Sequence, residues 1–230
     1  MGDVLQTTPQ DKIKRYQELG WWGDDTLTSL LLQALEKTPD QETLIDPPNR
    51  EHLVGGEAKR LTFGDIDKLS DDLAHLFYEA GLRQGEKIVV QMPNVVEIVL
   101  TYFAASKLGI IVSPVAMQYG QFELAHIDEV ISPDAYLAFS EFRDEIFGGI
   151  QSECFRKQCK RLIIDGVSWT EKDTTDRSSF ERYLQSIDTN ANDIFTICWT
   201  SGTTGRSKGV PRSYNHWLSS TLASEDAIRL

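Results

Sequence analysis

Between residues 62 and 164 the chain alternates strand-like apolar runs with helix-period segments, and this limits its fold more than any other feature. Strand, helix and strand in succession imply crossover connections. The expected fold is therefore α/β, a largely parallel sheet flanked by helices. The first helix is marked at its start: Thr62 and Asp65 stand at capping-box spacing, and Ile66, Leu69, Leu73, Leu76 and Phe77 follow with helical period. Gly81 is placed to end it. A strand over 87–92 leads to a helix over 95–108, apolar on nearly every side and so expected to be buried. Gly109 closes that helix, and "IIVS" is a short buried strand. The pattern continues with a helix near 121–130, a strand over 135–139, a helix near 141–155 and a strand over 161–164. Upstream, residues 43–46 and 58–61 are expected to pair as a hairpin. Residues 165–193 are polar and read as a linker around one short helix. The expected organisation is an amino-terminal arm (1–25), a first α/β subdomain (26–190) and the start of a second subdomain (191–230), truncated at Leu230.

Charge and composition exclude several classes. A formal net charge of −12 leaves no basic footprint for a nucleic-acid backbone. Cys154, Cys159 and Cys198 are odd in number and lack C-x-x-C spacing, so neither a disulfide framework nor a zinc site is indicated. The most apolar region, 95–115, is interrupted by Glu97, Lys107 and Pro114, whereas a membrane span needs about 20 uninterrupted apolar residues. No signal peptide is recognisable at the amino terminus, and the expected location is cytoplasmic.

The apolar run "DIFTICWT" ends in "TSGTTGRSKG", residues 200–209, in which every residue is a glycine, a hydroxyl or a cation. Such a loop suits polyphosphate, a dense anion that needs converging amides, short donors and nearby positive charge. Local charge agrees: residues 194–224 contain no Asp or Glu but do contain Arg206, Lys208 and Arg212. An ordinary flexible loop is the plain alternative. A Walker-type loop is excluded, because Gly205 lies three residues before Lys208, and Gly209 stands where Ser or Thr should follow. Ligands in open α/β sheets bind at the carboxyl ends of strands, which is where this loop departs. A further helix is expected from about residue 215.

The order of these residues resembles the phosphate-binding signature of the adenylate-forming superfamily, T-S-G-T-T-G-x-P-K-G, and matches eight of its nine specified positions. The exception is Ser207, where proline is usual. "LTFGDI" (61–66) and "SKLGIIVSPV" (106–115) are similar to two further stretches of that superfamily, in its order. The resemblance implies an ATP-dependent carboxylate–coenzyme A ligase that forms an acyl-adenylate and then a thioester. Aryl-acid AMP ligases that load a carrier protein, and a non-catalytic phosphate-binding module, are the alternatives. It further implies that Thr200, Ser201, Thr203 and Thr204 donate hydroxyls to the polyphosphate, that Gly202 and Gly205 bring amides close, and that Lys208 neutralises charge. ATP, Mg²⁺ and coenzyme A are the implied cofactors and co-substrates, with a small-molecule carboxylate as the other partner. The resemblance places the adenine- and ribose-binding groups, the metal ligand and the catalytic lysine beyond Leu230, so no catalytic or metal-binding residue is assigned within these residues.

Among the histidines, His75 and His126 read as structural helix residues. His216 lies near the loop, but Tyr214 occupies the place where relatives often carry a histidine. Trp21 and Trp22 read as a packing anchor for the amino-terminal arm. In a protein with the complete catalytic apparatus, Gly205→Val is expected to lower kcat/KM far more than Ser207→Pro. Valine puts a β-branched side chain where the backbone must approach phosphate, while proline restores the usual residue. Steady-state kinetics of both variants check this, and a harmless Gly205→Val contradicts the cradle.

Overall fold

The computed structural model describes residues 6–165, 177–200 and 206–228. Helices α1 (Gln10–Glu18) and α2 (Leu27–Lys37) come first. Thr26 and Ser29 cap α2 reciprocally, each side-chain oxygen accepting from the other's amide at 3.1 and 2.9 Å. Strand β1 (Glu42–Ile45) pairs antiparallel with β2 (Arg60–Thr62), and a short helix, α3 (Arg50–Val54), fills the connection between them. Helix α4 (Phe63–Glu79) starts on the expected capping box. Thr62 Oγ1 accepts from the Asp65 amide at 3.1 Å, and Asp65 Oδ2 accepts from the Thr62 amide at 2.9 Å.

Strand β3 (Lys87–Gln91), helix α5 (Val96–Leu108), strand β4 (Ile111–Pro114), helix α6 (Gln121–Ile131) and strand β5 (Ala135–Phe139) follow the alternation read from the sequence. Gly109 ends α5 at φ +64°, where a Cβ would also lie 2.8 Å from Gln84 Cγ. The helix expected near 141–155 is not there. Strands β6 (Glu141–Phe142) and β7 (Glu145–Ile146) form a small hairpin, followed by α7 (Gly148–Gln151) and a 3₁₀ turn over Ser152–Cys154. The hairpin turns on Arg143 and Asp144, at φ +55° and +63°. Asn-Gly or Asp-Gly is the usual signal for such a turn, and its absence hides the hairpin in the sequence.

Strand β8 (Lys160–Ile164), helix α8 (Ser178–Ser186) and strand β9 (Ile194–Thr200) come next. Strand β10 (Lys208–Ser213) is a second departure from expectation, because Lys208 and Gly209 read as loop. Helix α9 (Tyr214–Ile228) closes the described chain. The main sheet has six strands in the order β10-β9-β4-β3-β5-β8, parallel except that β10 runs antiparallel to β9. Proline is tolerated in an edge strand, which explains how "KGVPRS" can be β10.

Alternation along β3 divides the core. Ile88 and Val90 join Leu73 and Phe77 of α4 and Leu100 of α5 on one face. Val89 meets Leu124 and Ile127 of α6 and Tyr136 on the other.

One polar cluster crosses this apolar frame. Arg50 is 2% exposed and donates to both oxygens of Glu97 at 2.8 and 2.7 Å, and also to Asp46 Oδ2 at 2.9 Å. Lys59 adds a contact to Glu97 at 2.6 Å. Asp46 Oδ1 accepts from the Val96 amide at 2.8 Å, capping α5 from a distant segment. Burial alone would raise the Glu97 carboxyl, but hydrogen bonds and charge from Arg50 and Lys59 outweigh it and hold the group below 4.5. Its stabilisation is thus fully present above 4.5 and is lost as pH falls through the depressed value. Arg50→Met is expected to cost about 3–5 kcal/mol near neutral pH, because it leaves Glu97 buried against a single lysine. Urea unfolding measures this, and the gap from the unmodified chain should narrow below pH 4.5 as protonation of Glu97 removes the pair from the unmodified chain. An equal cost at all pH values contradicts the assignment.

Candidate functional site

Strand β9 delivers Thr200 to the carboxyl end of the sheet, and β10 returns with Lys208 directly opposite it in the antiparallel register. Opposed residues of such a pair hold their Cβ atoms about 5 Å apart. The hydroxyl and the ammonium thus flank the mouth of the glycine-rich connection. Both residues are exposed, as is Arg206, while Ser207 is half-buried. The other expected ligand residues, Ser201, Gly202, Thr203, Thr204 and Gly205, lie outside the described residues.

The strands beneath this mouth are closely fitted. Gly209 stands opposite Trp199, and a Cβ at Gly209 would lie 3.0 Å from Ile197 Cγ2 and 3.4 Å from the Trp199 ring. Trp199 is anchored in turn, its Nε1 donating to Ser113 Oγ on β4 at 2.8 Å. His126 of α6 reaches the Ser207 carbonyl with Nε2 at 3.0 Å. At the same end of the sheet a crevice of about 680 Å³ opens beyond β3 and β4, bordered by Asn94, Ile98, Tyr102, Gln118 and Arg143. Strands β4 and β5 leave β3 on opposite sides, so the crevice lies where open α/β sheets receive ligands. Burial pushes the Tyr102 phenol up to about 12, so it stays protonated there.

The start of α9 is devoted to packing. Tyr214 is buried, stacks on Phe195 at 4.4 Å, and its hydroxyl donates to Ser106 Oγ at 3.2 Å. Asn215 accepts from the Gly23 amide at 3.0 Å and donates to the Gly23 carbonyl at 2.9 Å, tying the amino-terminal arm to α9. His216 Nδ1 accepts from the Ser213 amide at 3.1 Å, and its ring meets Trp22 edge-on at 5.0 Å. Trp22 is the buried anchor of the arm, whereas Trp21 is 59% exposed. His75 is buried against Phe180, 5.0 Å between rings. The three cysteines carry free thiols, and burial pushes Cys159 up to about 12 and Cys154 up to about 11, which makes both poor nucleophiles. Among the described residues, no three His, Cys, Asp or Glu side chains gather to hold a metal ion. No helix among them is long and apolar enough to cross a membrane.

Ser113, His126 and Asn215 were not legible as site-supporting residues, since each contact joins segments more than 80 positions apart.

The profile of AMP-binding enzymes matches residues 32–229, and the chain belongs to that family of adenylate-forming ligases. The vibriobactin-specific 2,3-dihydroxybenzoate-AMP ligase of Vibrio cholerae is 26% identical over 96% of this chain and 40% of its own length. 4-Coumarate-CoA ligase 1 of Narcissus pseudonarcissus is 26% identical over 87% of this chain and 35% of its own length. The apo structure of Mycobacterium smegmatis MbtA has the same fold, with a TM-score of 0.78 at 22% identity over 99% of this chain and 41% of that one. The chain therefore spans less than half the length of these curated relatives.

Burial, and secondarily the charge of Arg212, lowers His216 below the ordinary 6.5. It is expected to be neutral at pH 7 and to titrate below 6.5 in an NMR pH series. A midpoint at or above that value contradicts its role as a packed acceptor for Ser213.

Proposed function

We propose that this chain supplies the polyphosphate-binding hairpin of an adenylate-forming ligase acting on an aromatic carboxylate. The observation that carries the reading is the pairing of Thr200 with Lys208 at the carboxyl end of the sheet, on either side of the glycine- and hydroxyl-rich connection. In the reaction a carboxylate oxygen attacks the α-phosphorus of ATP. An acyl–phosphate bond forms, the bond to the β-phosphate breaks, and pyrophosphate leaves. Charge grows on that leaving group, so fixed donors beside it lower the barrier. In this reading Thr200 donates its hydroxyl and Lys208 places its ammonium beside the β- and γ-phosphates. Ser201, Thr203, Thr204 and the amides near Gly202 and Gly205 complete the proposed cradle. Mg²⁺ would be held chiefly by the ATP phosphates with one or two carboxylates, and among the described residues no three His, Cys, Asp or Glu side chains gather to hold it.

Of three relatives at 26% identity, two are named for aromatic acids, 2,3-dihydroxybenzoate and 4-coumarate, which supports an aromatic acid, while the third is named for medium-chain acyl-CoA. Coenzyme A is the proposed thiol acceptor: its sulfur attacks the acyl carbonyl and AMP departs. A carrier-protein thiol is the second reading, favoured by the relative named as an AMP ligase without coenzyme A. The segment 191–230 is proposed to open a second subdomain, although its strands extend the same sheet.

The 230-residue chain is expected to bind ATP, GTP and tripolyphosphate alike, with Kd on the order of a millimolar. A few charge-assisted hydrogen bonds of about 1.5–3 kcal/mol each, set against ordering costs, lead to that value. Lys208→Ala should weaken all three together. Titrations that follow the Lys208 and Gly209 amides test this. A clear preference for ATP over tripolyphosphate, or no binding at all, overturns the reading. The chain is also expected to show no carboxylate-dependent exchange of pyrophosphate into ATP.

A further inference from the structure

Ser207 is the one position at which the loop departs from the signature it otherwise matches, and it is also where a distant helix takes hold of it. His126 Nε2 lies 3.0 Å from the Ser207 carbonyl oxygen. A carbonyl can only accept, so Nε2 carries the proton. The other ring nitrogen, Nδ1, is buried without a hydrogen-bond partner among the described residues. The polar capacity that the ring does use is therefore spent on this one carbonyl. The His126 ring also stands edge-on to Trp199, 6.3 Å between centroids, and Trp199 is itself fixed by Ser113. Two residues after Ser207, Gly209 packs closely on Ile197, where a Cβ would lie 3.0 Å from Cγ2. The returning arm of the loop is thus held by α6 at residue 207 and by β9 at residue 209, with Lys208 between the two holds.

The geometry points to His126 as a positioning residue that fixes the returning arm of the phosphate loop and hence the starting point of the Lys208 side chain. Proline at residue 207 would restrict this arm through its ring. Here a hydrogen bond from α6 restrains the same arm across space. As a statement about catalysis this rests on the polyphosphate reading above, but the restraint itself belongs to the free chain.

The test compares the unmodified chain with His126→Phe, His126→Gln, Ser207→Pro and the His126→Phe/Ser207→Pro double variant. Without ligand, amide exchange at Lys208 and Gly209 should accelerate about 3- to 10-fold in His126→Phe, the loss of one hydrogen bond. His126→Gln, which keeps a side-chain N–H, should stay within about twofold, and Ser207→Pro should rescue much of the His126→Phe effect. Tripolyphosphate affinity should follow the same order. In the unmodified chain, nitrogen NMR should show His126 protonated at Nε2 and bare at Nδ1. Exchange unchanged in His126→Phe, equal losses in Phe and Gln variants without rescue by proline, or a ring protonated at Nδ1 would each overturn the inference. If His126→Phe does not fold, the tautomer and the Gln variant still decide. If the unmodified chain fails to bind tripolyphosphate, the reading of the loop falls, while the exchange rates and tautomer still judge His126.

Discussion

A fully buried carboxylate, Glu97, is held by a buried guanidinium, and much of the ligand end of the sheet hangs from that pair. Neither charge is stable alone in an apolar interior, so the elements that carry them must close together. Arg50 sits on α3, Glu97 in the first turn of α5, and Asp46 just past β1. Asp46 binds Arg50, the Lys59 amide and the Val96 amide at once. The hairpin segment is thereby locked to the amino terminus of α5, and the turn between β3 and α5 is set in place. That turn borders the crevice.

The second dependence runs sideways through the sheet. Strand β4 holds β9 through backbone pairing and through the Ser113–Trp199 hydrogen bond. Strand β9 positions β10, and Gly209 lets the two approach closely. Thr200 and Lys208 are brought together at the end of that chain of contacts. Tyr214 and Asn215 then tie the next helix to the core and to the amino-terminal arm. Positioning of the loop mouth thus rests on contacts among β4, β9, β10 and α9.

What the sequence made legible is what local physics dictates. The capping box at Thr62, the stop at Gly109 and the apolar strands β3, β5 and β9 follow from spacing and composition over a few residues. The β6–β7 hairpin was hidden because its turn uses Arg143 and Asp144 in place of glycine. Strand β10 was hidden because glycine, proline and charge read as loop, although an edge strand accepts them. The Arg50–Glu97 pair was invisible for a different reason: a charged residue in the sequence does not reveal that a partner 47 positions away will bury it. In the candidate site, residue types pointed to polyphosphate as the proposed ligand class, while the opposition of Thr200 and Lys208 and the hold on Ser207 required the fold.

The central claim is that the β9–β10 mouth is where polyphosphate meets this chain. A crystal structure of the chain grown with tripolyphosphate tests it most directly. The account predicts ordered phosphate at the carboxyl end of β9, within hydrogen-bond reach of Thr200 and Lys208. Phosphate ordered in the crevice beside Asn94 and Arg143, with Thr200 and Lys208 untouched, would contradict it.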